Sequence, residues 1–568
     1  MMVLQTGLCL LLVLVLAMPL GGYIERVMHG ERTILSPVLY PCERLLYRRL
    51  HVDADRTMDW SHYLAAVLVF SAGGFGLLLL LLLLQGWLPL NPQGVSGLPL
   101  SMAFNTAASF VTNTDWQAYS GEIHLSYLTQ AAGLTVQNFV SAGTGIAVLF
   151  AFFRGLERTE SLGIGNFWAD LTRAVLYVLL PLSFALALVL SAQGVVQSFA
   201  GVQSAALLET QVLTDALRVA AQAVPQGPVA SQTAIAQLGT NGGGFFGANA
   251  AHPLANPTPL TNLLEMLAIL LLPAALCFSF GRAVHRRSQG IAVLAAMLLL
   301  LMVSWTGITL CEQSVPVPLE QDPAVTAVSG NMEGKETRFG IVDSASWAAF
   351  TTAASNGSAN ASFEGMSPGS VFFMLFNMQL GEVAFGGVGC GLYGMLGFVL
   401  LTVFLAGLMV GRTPEFLGKK IGPFEMKMAL VICLTGPLLI LAGTGAAVWA
   451  LPMEGADGAH AFTQLLYACS SAAGNNGSAL AGLSADTLFF NLLLGILMLA
   501  ARFVPMAAVL AAASSLASRR CTAAGEGTLR TDRPLFVALL LMVVLLVGAL
   551  GFLPALALGP VAEFLPML

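Results

Sequence analysis

Four short polar stretches of similar composition recur along this chain at nearly regular intervals. Each has an asparagine at its second position, and three continue with glycine and another small residue: Thr112-Asn113-Thr114-Asp115, Thr240-Asn241-Gly242-Gly243, Ser355-Asn356-Gly357-Ser358 and Asn475-Asn476-Gly477-Ser478. These asparagines stand 128, 115 and 120 residues apart, a spacing typical of a repeated unit. Glycine tolerates a positive φ and has no Cβ, so such a stretch can present its carbonyl oxygens on one side. Four strips around one axis would form a filter in which carbonyl oxygens replace the water shell of a cation.

The composition indicates a membrane protein. Of the 568 residues, 57% are hydrophobic and 10% are charged, and the mean hydropathy is +0.80, whereas soluble domains carry about 25% charged residues. The eight cysteines include no Cys-x-x-Cys pair, and the seven histidines are scattered. This pattern argues against a disulfide framework, a zinc site and an iron–sulfur cluster. The sequence therefore predicts an integral membrane protein without a metal cage.

Ten segments are apolar over about the 20 residues that a membrane-crossing helix needs. The first segment has no preceding basic residue and no small-residue cleavage site, so it is predicted to be a retained helix rather than a signal peptide. The predicted spans cover residues 3–20, 63–88, 131–153, 174–192, 260–281, 291–311, 371–410, 428–451, 487–512 and 534–558.

The basic residues predict the orientation of these spans, because arginine and lysine in short loops favour the cytoplasmic side. In a ten-span chain, 20 of the 24 basic residues fall on one side, which places both termini outside. Arg218, Lys335 and Arg338 fall in the opposite loops, and Arg502 lies inside span nine. The 20 residues on the inner side are Arg26, Arg32, Arg44, Arg48, Arg49, Arg56, Arg154, Arg158, Arg173, Arg282, Arg286, Arg287, Arg412, Lys419, Lys420, Lys427, Arg519, Arg520, Arg530 and Arg533.

Each polar strip falls in an outer loop of this topology and follows a short, semi-apolar stretch. These stretches are too short to cross the membrane, so each is predicted to be a re-entrant pore helix shielded by the surrounding protein. Such a helix would direct its negative C-terminal end at the filter and favour a cation. The pore helices are predicted at residues 98–111, 228–239, 344–354 and 461–473.

The predicted fold is an all-α polytopic membrane protein with about ten transmembrane helices and four pseudo-repeats of helix, pore helix, filter and helix. A single Asn-Gly stretch would be more typical of a turn between helices, but four of them in the same topological position favour a filter. The predicted divisions are an N-terminal helix with its cytoplasmic loop at 1–62, pore repeats at 63–158, 159–284, 285–421 and 422–515, and a C-terminal helix at 516–568.

Six stretches resemble a known family, and the resemblance extends over essentially the whole chain. They are Ser109–Gln117, Leu238–Phe246, Asn331–Glu336, Gly386–Gly394, Gly411–Lys420 and Ala555–Glu563. They resemble the potassium-binding A subunit (KdpA) of the Kdp potassium-transporting ATPase, which is related to potassium channels and Trk/Ktr transporters. The resemblance implies a bacterial inner-membrane protein whose partners are the P-type ATPase (B) subunit, the C subunit and the small single-span F subunit of the Kdp complex. Asp115 departs from the family, where an amide is more usual, and Gly474 departs from a frequent asparagine.

With K⁺ as the implied ion, the expected ligands are backbone carbonyls, because oxygen dipoles can replace the water of this weakly hydrated cation. The three strip glycines are expected to be required, since a side chain there would strain or block the strip. Thr114 breaks the Asn-Gly pattern, so the filter is only pseudo-fourfold. Asp115 and Gln117 are expected at the filter edge, with ordinary loop hydrogen bonding as the alternative. The expected ligand residues are Thr112, Asn113, Thr114, Thr240, Asn241, Gly242, Ser355, Asn356, Gly357, Asn475, Asn476 and Gly477.

A glycine-rich run lies in the middle of the long seventh hydrophobic segment, directly after the third strip. Its Gly389–Gly394 portion formally matches a dinucleotide fingerprint, but that fingerprint needs a strand–turn–helix context. Close helix packing through small residues is one alternative. We favour a broken helix or intramembrane loop beneath the filter, because many glycines discourage a continuous helix. The candidate gate residues are Glu382, Gly386, Gly387, Gly389, Gly391 and Arg412, the last of which could instead anchor the span.

No motif for ATP chemistry occurs in the sequence, neither a Gly-x4-Gly-Lys-[Ser/Thr] phosphate loop nor an Asp-Lys-Thr-Gly phosphorylation motif. The chain is therefore predicted not to be an enzyme by itself and to bind no cofactor except the K⁺ that it transports. Two functions stay open. One is the ion-selecting subunit of an ATP-driven potassium pump, and the other is a stand-alone channel or ion-coupled transporter of the Trk/Ktr type. The resemblance favours the first.

Overall fold

The described part of the chain contains ten helices that are long and apolar enough to cross a membrane, as the sequence predicts. The computed structural model describes residues 2–161, 163–214, 217–314, 330–381, 383–409, 411, 413–451, 458–521 and 529–565. Spans one to ten are Gln5–Met28, Trp60–Trp87, Thr129–Glu157, Phe167–Ala192, Pro259–Ala283, Arg287–Gln313, Cys390–Met409, Pro423–Ala450, Leu488–Ala517 and Pro534–Phe564.

Burial separates inner spans from peripheral ones. Over their most apolar stretches, 89% of span three and 83% of span five are buried, against 22% of span two. Spans three and five therefore form the centre of the molecule, and span two presents most of its leucine-rich surface outward. Short π-helical or 3₁₀ turns end span two (Gln85–Trp87), begin span three (Thr129–Thr135), and lie within span four (Ala174–Leu179) and span ten (Ala557–Val561).

Four shorter helices each end directly at one of the polar strips. They lie between spans two and three, four and five, six and seven, and eight and nine. Their polar residues are buried by protein; in the first, Asn105, Thr106 and Ser109 are all nearly inaccessible. This shielding permits a helix end at membrane depth, and the predicted repeat of helix, pore helix, strip and helix is confirmed. Pore helices one to four are Leu100–Val111, Val229–Leu238, Gly340–Ala353 and Gly458–Ala473.

The seventh hydrophobic segment is divided into two helices, Pro368–Gln379 and Cys390–Met409. The Ser367 side chain caps the first helix by accepting a hydrogen bond from the Ser370 amide at 3.4 Å. Between the helices, Gly381, Gly386 and Gly389 have φ values of +82°, +62° and +89°, which glycine adopts without strain. The segment predicted as one span thus has the predicted break, and only its second helix crosses.

The sequence analysis missed several elements in the loops. The loop after span four carries an antiparallel hairpin of strands Gln203–Thr214 and Leu217–Val224. The loop after span one contains a helix, Ser36–Leu50, which begins at a proline-bearing turn. Its last turn carries Arg48 and Arg49, where basic side chains favour the helix dipole. The other short loop elements are two-residue strands at Glu415–Phe416 and Lys419–Lys420, a short helix at Gly121–His124, and turns at Asn249–Ala251 and Phe363–Gly365. Span four begins with the helix Phe167–Arg173.

Basic side chains bind the loops together at the end of the molecule away from the strips. Lys419 is fully buried, and its Nζ donates hydrogen bonds to the carbonyl oxygens of Gly155, at 2.9 Å, and Leu516, at 2.8 Å. These carbonyls belong to the last turns of spans three and nine, which a cation stabilises. Arg154 forms two hydrogen bonds of 2.6 and 2.7 Å with Asp170. Ionic contacts therefore fix these helix ends relative to one another.

At the strip end, a buried ion pair closes the loop before pore helix three. Lys335 Nζ lies 2.6 Å from Glu312, and both side chains are inaccessible to solvent. The other Glu312 oxygen accepts hydrogen bonds from the Ser367 amide and hydroxyl, both at 2.8 Å. A buried ion pair is tolerated when further hydrogen bonds satisfy it. The Asn331–Glu336 stretch therefore has a structural role, because its Lys335 holds the loop against the end of span six.

His460 joins pore helix four to the C-terminal end of the chain. Its ring nitrogens contact Glu563 at 2.9 Å and Glu364 at 2.8 Å. Burial lowers the pKa of His460, but the two carboxylates raise it more, so that its pKa lies above the ordinary value. The closing Ala555–Glu563 stretch thus has a structural role, because Glu563 fastens the start of a pore helix.

Candidate functional site

The backbone of the four strips follows one repeated conformation. In strips two to four, the first residue has a positive φ: 48° at Thr240, 52° at Ser355 and 46° at Asn475. The third residue of each is a glycine with φ between 69° and 94°. In strip one the positive values fall one residue later, at Asn113 (68°) and Asp115 (53°). By conformation, Thr114 therefore corresponds to the asparagines of the other strips.

Backbone hydrogen bonds give the same register. In each strip, one amide donates to the carbonyl five residues earlier, inside its own pore helix. The four pairs are Thr114 to Ser109 at 3.0 Å, Asn241 to Ala236 at 2.9 Å, Asn356 to Thr351 at 2.9 Å, and Asn476 to Ser471 at 2.8 Å. The sequence pattern aligned Asn113 with the other asparagines by residue type. The structure shifts strip one by one residue, so that residues 113–115, rather than 112–114, correspond to the other three sets.

The strips meet edge to edge, and the glycines make this contact possible. A Cβ on Gly242 would stand 1.7 Å from the Asn356 carbonyl oxygen, and one on Gly357 would stand 1.8 Å from that of Asn476. A Cβ on Gly477 would stand 2.0 Å from that of Thr114. Strips two, three, four and one are therefore consecutive neighbours, with backbone carbonyls between them.

Side-chain hydrogen bonds close the ring between strips one and two. Asn113 Nδ2 donates to the Thr240 carbonyl at 2.9 Å, and Asn241 Nδ2 donates to Asn113 Oδ1 at 2.8 Å. Ser141 of span three supports this seam from behind by donating to Asn113 Oδ1 at 2.9 Å. The four strips thus form a closed, pseudo-fourfold ring.

The strip asparagines hold the backbone from behind. Asn356 Nδ2 donates to the Ala236 carbonyl at 3.0 Å, and Asn476 Nδ2 donates to that of Thr351 at 2.9 Å. Each amide thereby ties its strip to the preceding pore helix. Within the described residues, we find no hydrogen bond to the carbonyls at the four equivalent positions, Thr114, Asn241, Asn356 and Asn476. Buried carbonyls normally have partners, so this ring is suited to a cation that supplies them.

A cavity of about 460 Å³ opens on the side of the ring away from the basic loops. We call it the outer cavity. Its lining includes Asp115, Gln117 and Gly243 together with Gly357 and Gly477. Gln117 Oε1 accepts a hydrogen bond from the Gly244 amide at 3.0 Å. Both residues predicted at the filter edge therefore lie at the rim of the ring, and one makes the ordinary loop hydrogen bond.

A small inner cavity of about 50 Å³ lies on the other side of the ring. Asn475 of strip four and the neighbouring Gly474 line it, together with Gly381, Cys390 and Arg502. Arg502 is buried, and its guanidinium donates to the Ser141 carbonyl at 3.2 Å and to the Cys390 sulfur. The Arg502 side chain thus places a positive charge beneath the ring, a role that its position inside span nine does not by itself reveal in the sequence. Its signal was a single charge within an apolar span, which marks a functional candidate.

The break in the seventh segment crosses beneath strips two and three. The Val388 amide donates to Thr240 Oγ1 at 2.8 Å, and the Gly386 amide donates to the Ala353 carbonyl at 2.8 Å. A Cβ on Gly389 would stand 2.2 Å from the Gly145 carbonyl of span three.

Two further candidate gate residues, Gly387 and Gly391, also lie at the break in the seventh segment. The Gly387 carbonyl accepts from the Gly391 amide at 3.0 Å, and Gly391 lies in the first turn of span seven, where a Cβ would stand 1.9 Å from the Phe385 carbonyl. The structure thus brings Gly386, Gly387, Gly389 and Gly391 together below the ring. Glu382 and Arg412 lie outside the described residues.

Comparison with known proteins identifies the family. A family model described as "Potassium-transporting ATPase A subunit" matches residues 7–565. The chain belongs to this family. Curated relatives named potassium-transporting ATPase potassium-binding subunit include one from Clostridium perfringens, 56% identical over 100% of this chain and 99% of its own length. Another, from Desulfovibrio desulfuricans, is 55% identical over 99% of each chain. The implied family resemblance is confirmed.

A solved structure gives an independent likeness of fold. The potassium transporter TrkH from Vibrio parahaemolyticus matches with a TM-score of 0.53 over 87% of this chain and 96% of its own. Sequence identity is 14%, so the likeness concerns the fold alone. The all-α, multi-pass fold class is confirmed, and the chain is a potassium-transport subunit by family.

Proposed function

We propose that this chain binds external K⁺ in the four-strip ring and passes it to the ATPase subunit of its complex. The observation that carries the proposal is the closed ring of backbone strips whose equivalent carbonyls have no hydrogen-bond partner among the described residues. Carbonyl rings replace the hydration shell of K⁺ in known filters. The ligands are the carbonyls of the four strips, and K⁺ is the substrate rather than a resident cofactor.

We propose that the partners are the P-type ATPase (B) subunit, the C subunit and the small F subunit of the Kdp complex, in a bacterial inner membrane. Curated relatives are named for one subunit of a potassium-transporting ATPase, and this sequence has no phosphate-binding loop and no phosphorylation motif. Energy therefore comes from another polypeptide, and this chain is not catalytic by itself. In this proposal the basic loops lie inside and the outer cavity faces outside, as the distribution of arginine and lysine predicts.

The segment between Gln379 and Cys390, together with Arg502, forms the obstruction that prevents a leak in this proposal. Its residues Gly386 and Val388 are hydrogen-bonded to Ala353 and Thr240 beneath the ring, and Gly381 and Cys390 line the inner cavity. Gly386, Gly387, Gly389 and Gly391 are its candidate gate residues in the described chain. Glu382 and Arg412 remain candidate gate residues from the sequence. A pump subunit needs such an obstruction, because a free pore would dissipate the gradient that the pump builds.

A stand-alone Trk/Ktr-type transporter is the second candidate, favoured by the fold likeness to TrkH. Reconstitution separates the two functions. In liposomes loaded with a potassium indicator, we expect the purified chain to give little flux, and the complete complex to move K⁺ from the outer-cavity side when ATP is supplied on the basic-loop side. Rapid selective flux through the intact chain alone would favour the stand-alone transporter and contradict the proposed obstruction.

A further inference from the structure

Strip one carries a carboxylate where the other three strips carry glycine. Asp115 corresponds by register to Gly242, Gly357 and Gly477, and it has a φ of 53°. It is 1% exposed, and neither of its side-chain oxygens has a hydrogen-bond partner among the described residues. Burial raises the pKa of Asp115 well above its ordinary value, and the neighbouring Asn138 side chain opposes this shift. A buried carboxylate is costly unless a cation or a donor satisfies it.

The Asp115 side chain lies where strip one contacts strip two, and the other contacts between strips leave no space for a side chain at the equivalent position. A Cβ on Gly243 of strip two would stand 3.0 Å from the Asp115 Cβ and 3.1 Å from its carbonyl oxygen. At the other three seams, a Cβ on the equivalent glycine would meet a carbonyl at 2.0 Å or less. The Asp115 side chain therefore lies beside the seam between strips one and two.

Further unpartnered polar atoms belong to residues that flank the same seam. Asn241 Oδ1 and both amide atoms of Asn138 are buried without a hydrogen bond, as are Gln117 Nε2 and the Tyr119 hydroxyl. Asp115, Gln117 and Tyr119 also line the outer cavity. No arginine, lysine or histidine of the described chain pairs with the carboxylate. The seam thus combines carboxylate, amide and carbonyl oxygens without a fixed cation.

We propose that Asp115 makes the outer edge of this ring a mixed carboxylate–carbonyl site that also takes a divalent cation close to K⁺ in size, in competition with K⁺. Ba²⁺ is the probe. Hard divalent cations prefer carboxylate, carbonyl and amide oxygens. The inference rests on the proposed potassium filter and concerns its specificity.

The charge of the ion provides a quantitative signature. At equal distance, a unit negative charge acts on a divalent cation with twice the energy that it exerts on a monovalent one. Removing the charge of Asp115 should therefore weaken Ba²⁺ binding by the square of the factor by which it weakens K⁺ binding. If K⁺ weakens about threefold, Ba²⁺ should weaken about tenfold.

Glu336 provides a matched control for the loss of one charge. It lines the same outer cavity, but it pairs with Arg338 at 2.5 Å and its side chain is 41% exposed. Solvent screens such a group strongly. Glu336→Gln changes the net charge of the cavity by the same amount as Asp115→Asn without touching the seam.

The experiment uses the purified complete complex and measures potassium-stimulated ATP hydrolysis at several concentrations of K⁺ and Ba²⁺. In the unmodified complex, we expect Ba²⁺ to inhibit competitively with K⁺. In Asp115→Asn, the Ba²⁺ inhibition constant should rise by the square of the K⁺ factor. In Glu336→Gln, both constants should stay within about twofold.

Equal fold-changes for Ba²⁺ and K⁺ in Asp115→Asn would overturn the inference, because they would show that the side chain acts through shape rather than charge. No change for either ion, or an equal Ba²⁺ effect in Glu336→Gln, would also overturn it. If Asp115→Asn fails to assemble, the mode of inhibition in the unmodified complex tests the inference instead. Non-competitive inhibition by Ba²⁺ would exclude a site shared with K⁺ and overturn it. An unmodified complex without potassium-dependent activity would instead contradict the proposed function.

Discussion

Replacing Gly357 with alanine is expected to weaken K⁺ binding by the complex at least about a hundredfold. The new Cβ would stand 1.8 Å from the Asn476 carbonyl oxygen, in a residue whose φ is +84°. A non-glycine residue in a left-handed conformation costs about 1–3 kcal/mol, and the carbonyl that forms the ring must also move. A loss of about 3 kcal/mol corresponds to about a hundredfold in affinity. Growth of a dependent strain at limiting K⁺ and the potassium dependence of ATP hydrolysis both measure this change.

Gly445→Ala is the matched control for this substitution. Gly445 lies in span eight, and a Cβ there meets nothing within 4 Å, so we expect its K⁺ affinity to stay within about twofold, since alanine is favoured over glycine in a helix. Equal tolerance of Gly357→Ala and Gly445→Ala would show that the strips are ordinary turns. Gly242→Ala and Gly477→Ala should behave like Gly357→Ala, because their Cβ atoms would meet the neighbouring strips in the same way.

Removing residues 384–387 is expected to raise passive Rb⁺ flux through the reconstituted complex at least about tenfold. This segment contains Gly386, whose amide is tied to Ala353, and it precedes Val388, whose amide is tied to Thr240 of strip two. Each of these hydrogen bonds contributes about 1 kcal/mol, so losing both destabilises the position of the segment beneath the ring by about 2 kcal/mol. The segment would then no longer be held beneath the ring, and ions could pass without the ATPase cycle.

A double variant shows which path the ions take. When Gly357→Ala is added to the deletion, the flux should lose its preference for Rb⁺ over Na⁺, because both ions then cross a damaged ring. A deletion that leaves passive flux at the level of the unmodified complex would contradict the proposed obstruction. Flux that keeps its selectivity in the double variant would show that the ions bypass the ring.

The sequence supported the fold because periodicity and hydrophobicity agreed. Ten apolar segments predicted the number of spans, and the four Asn-containing strips stood at equivalent places between them. Pore helix one, predicted at 98–111, spans Leu100–Val111. Short semi-apolar helices are predictable here because each is bounded by a strip that cannot continue a helix.

The alignment of strip one with the other strips was predicted wrongly, because it was based on residue type whereas backbone conformation determines the register. Asn113 looks like the asparagines of the other strips, yet its φ of 68° makes it the equivalent of Thr240. Nothing in the residue type of Thr114 indicates that it occupies the asparagine position. The ties between Val388 and Thr240, and between Arg502 and the Ser141 carbonyl, join residues far apart in the chain. Such contacts follow from tertiary packing and have no local sequence signal.

Locating bound Rb⁺ tests the central proposal most directly. Crystals of the complex grown with Rb⁺ in place of K⁺ would reveal the ion by its anomalous scattering. We expect a peak on the axis of the ring, among the carbonyl oxygens of Thr114, Asn241, Asn356 and Asn476. Gly357→Ala crystals should lose this peak. A strong peak elsewhere in the chain, with none between the strips, would contradict the filter.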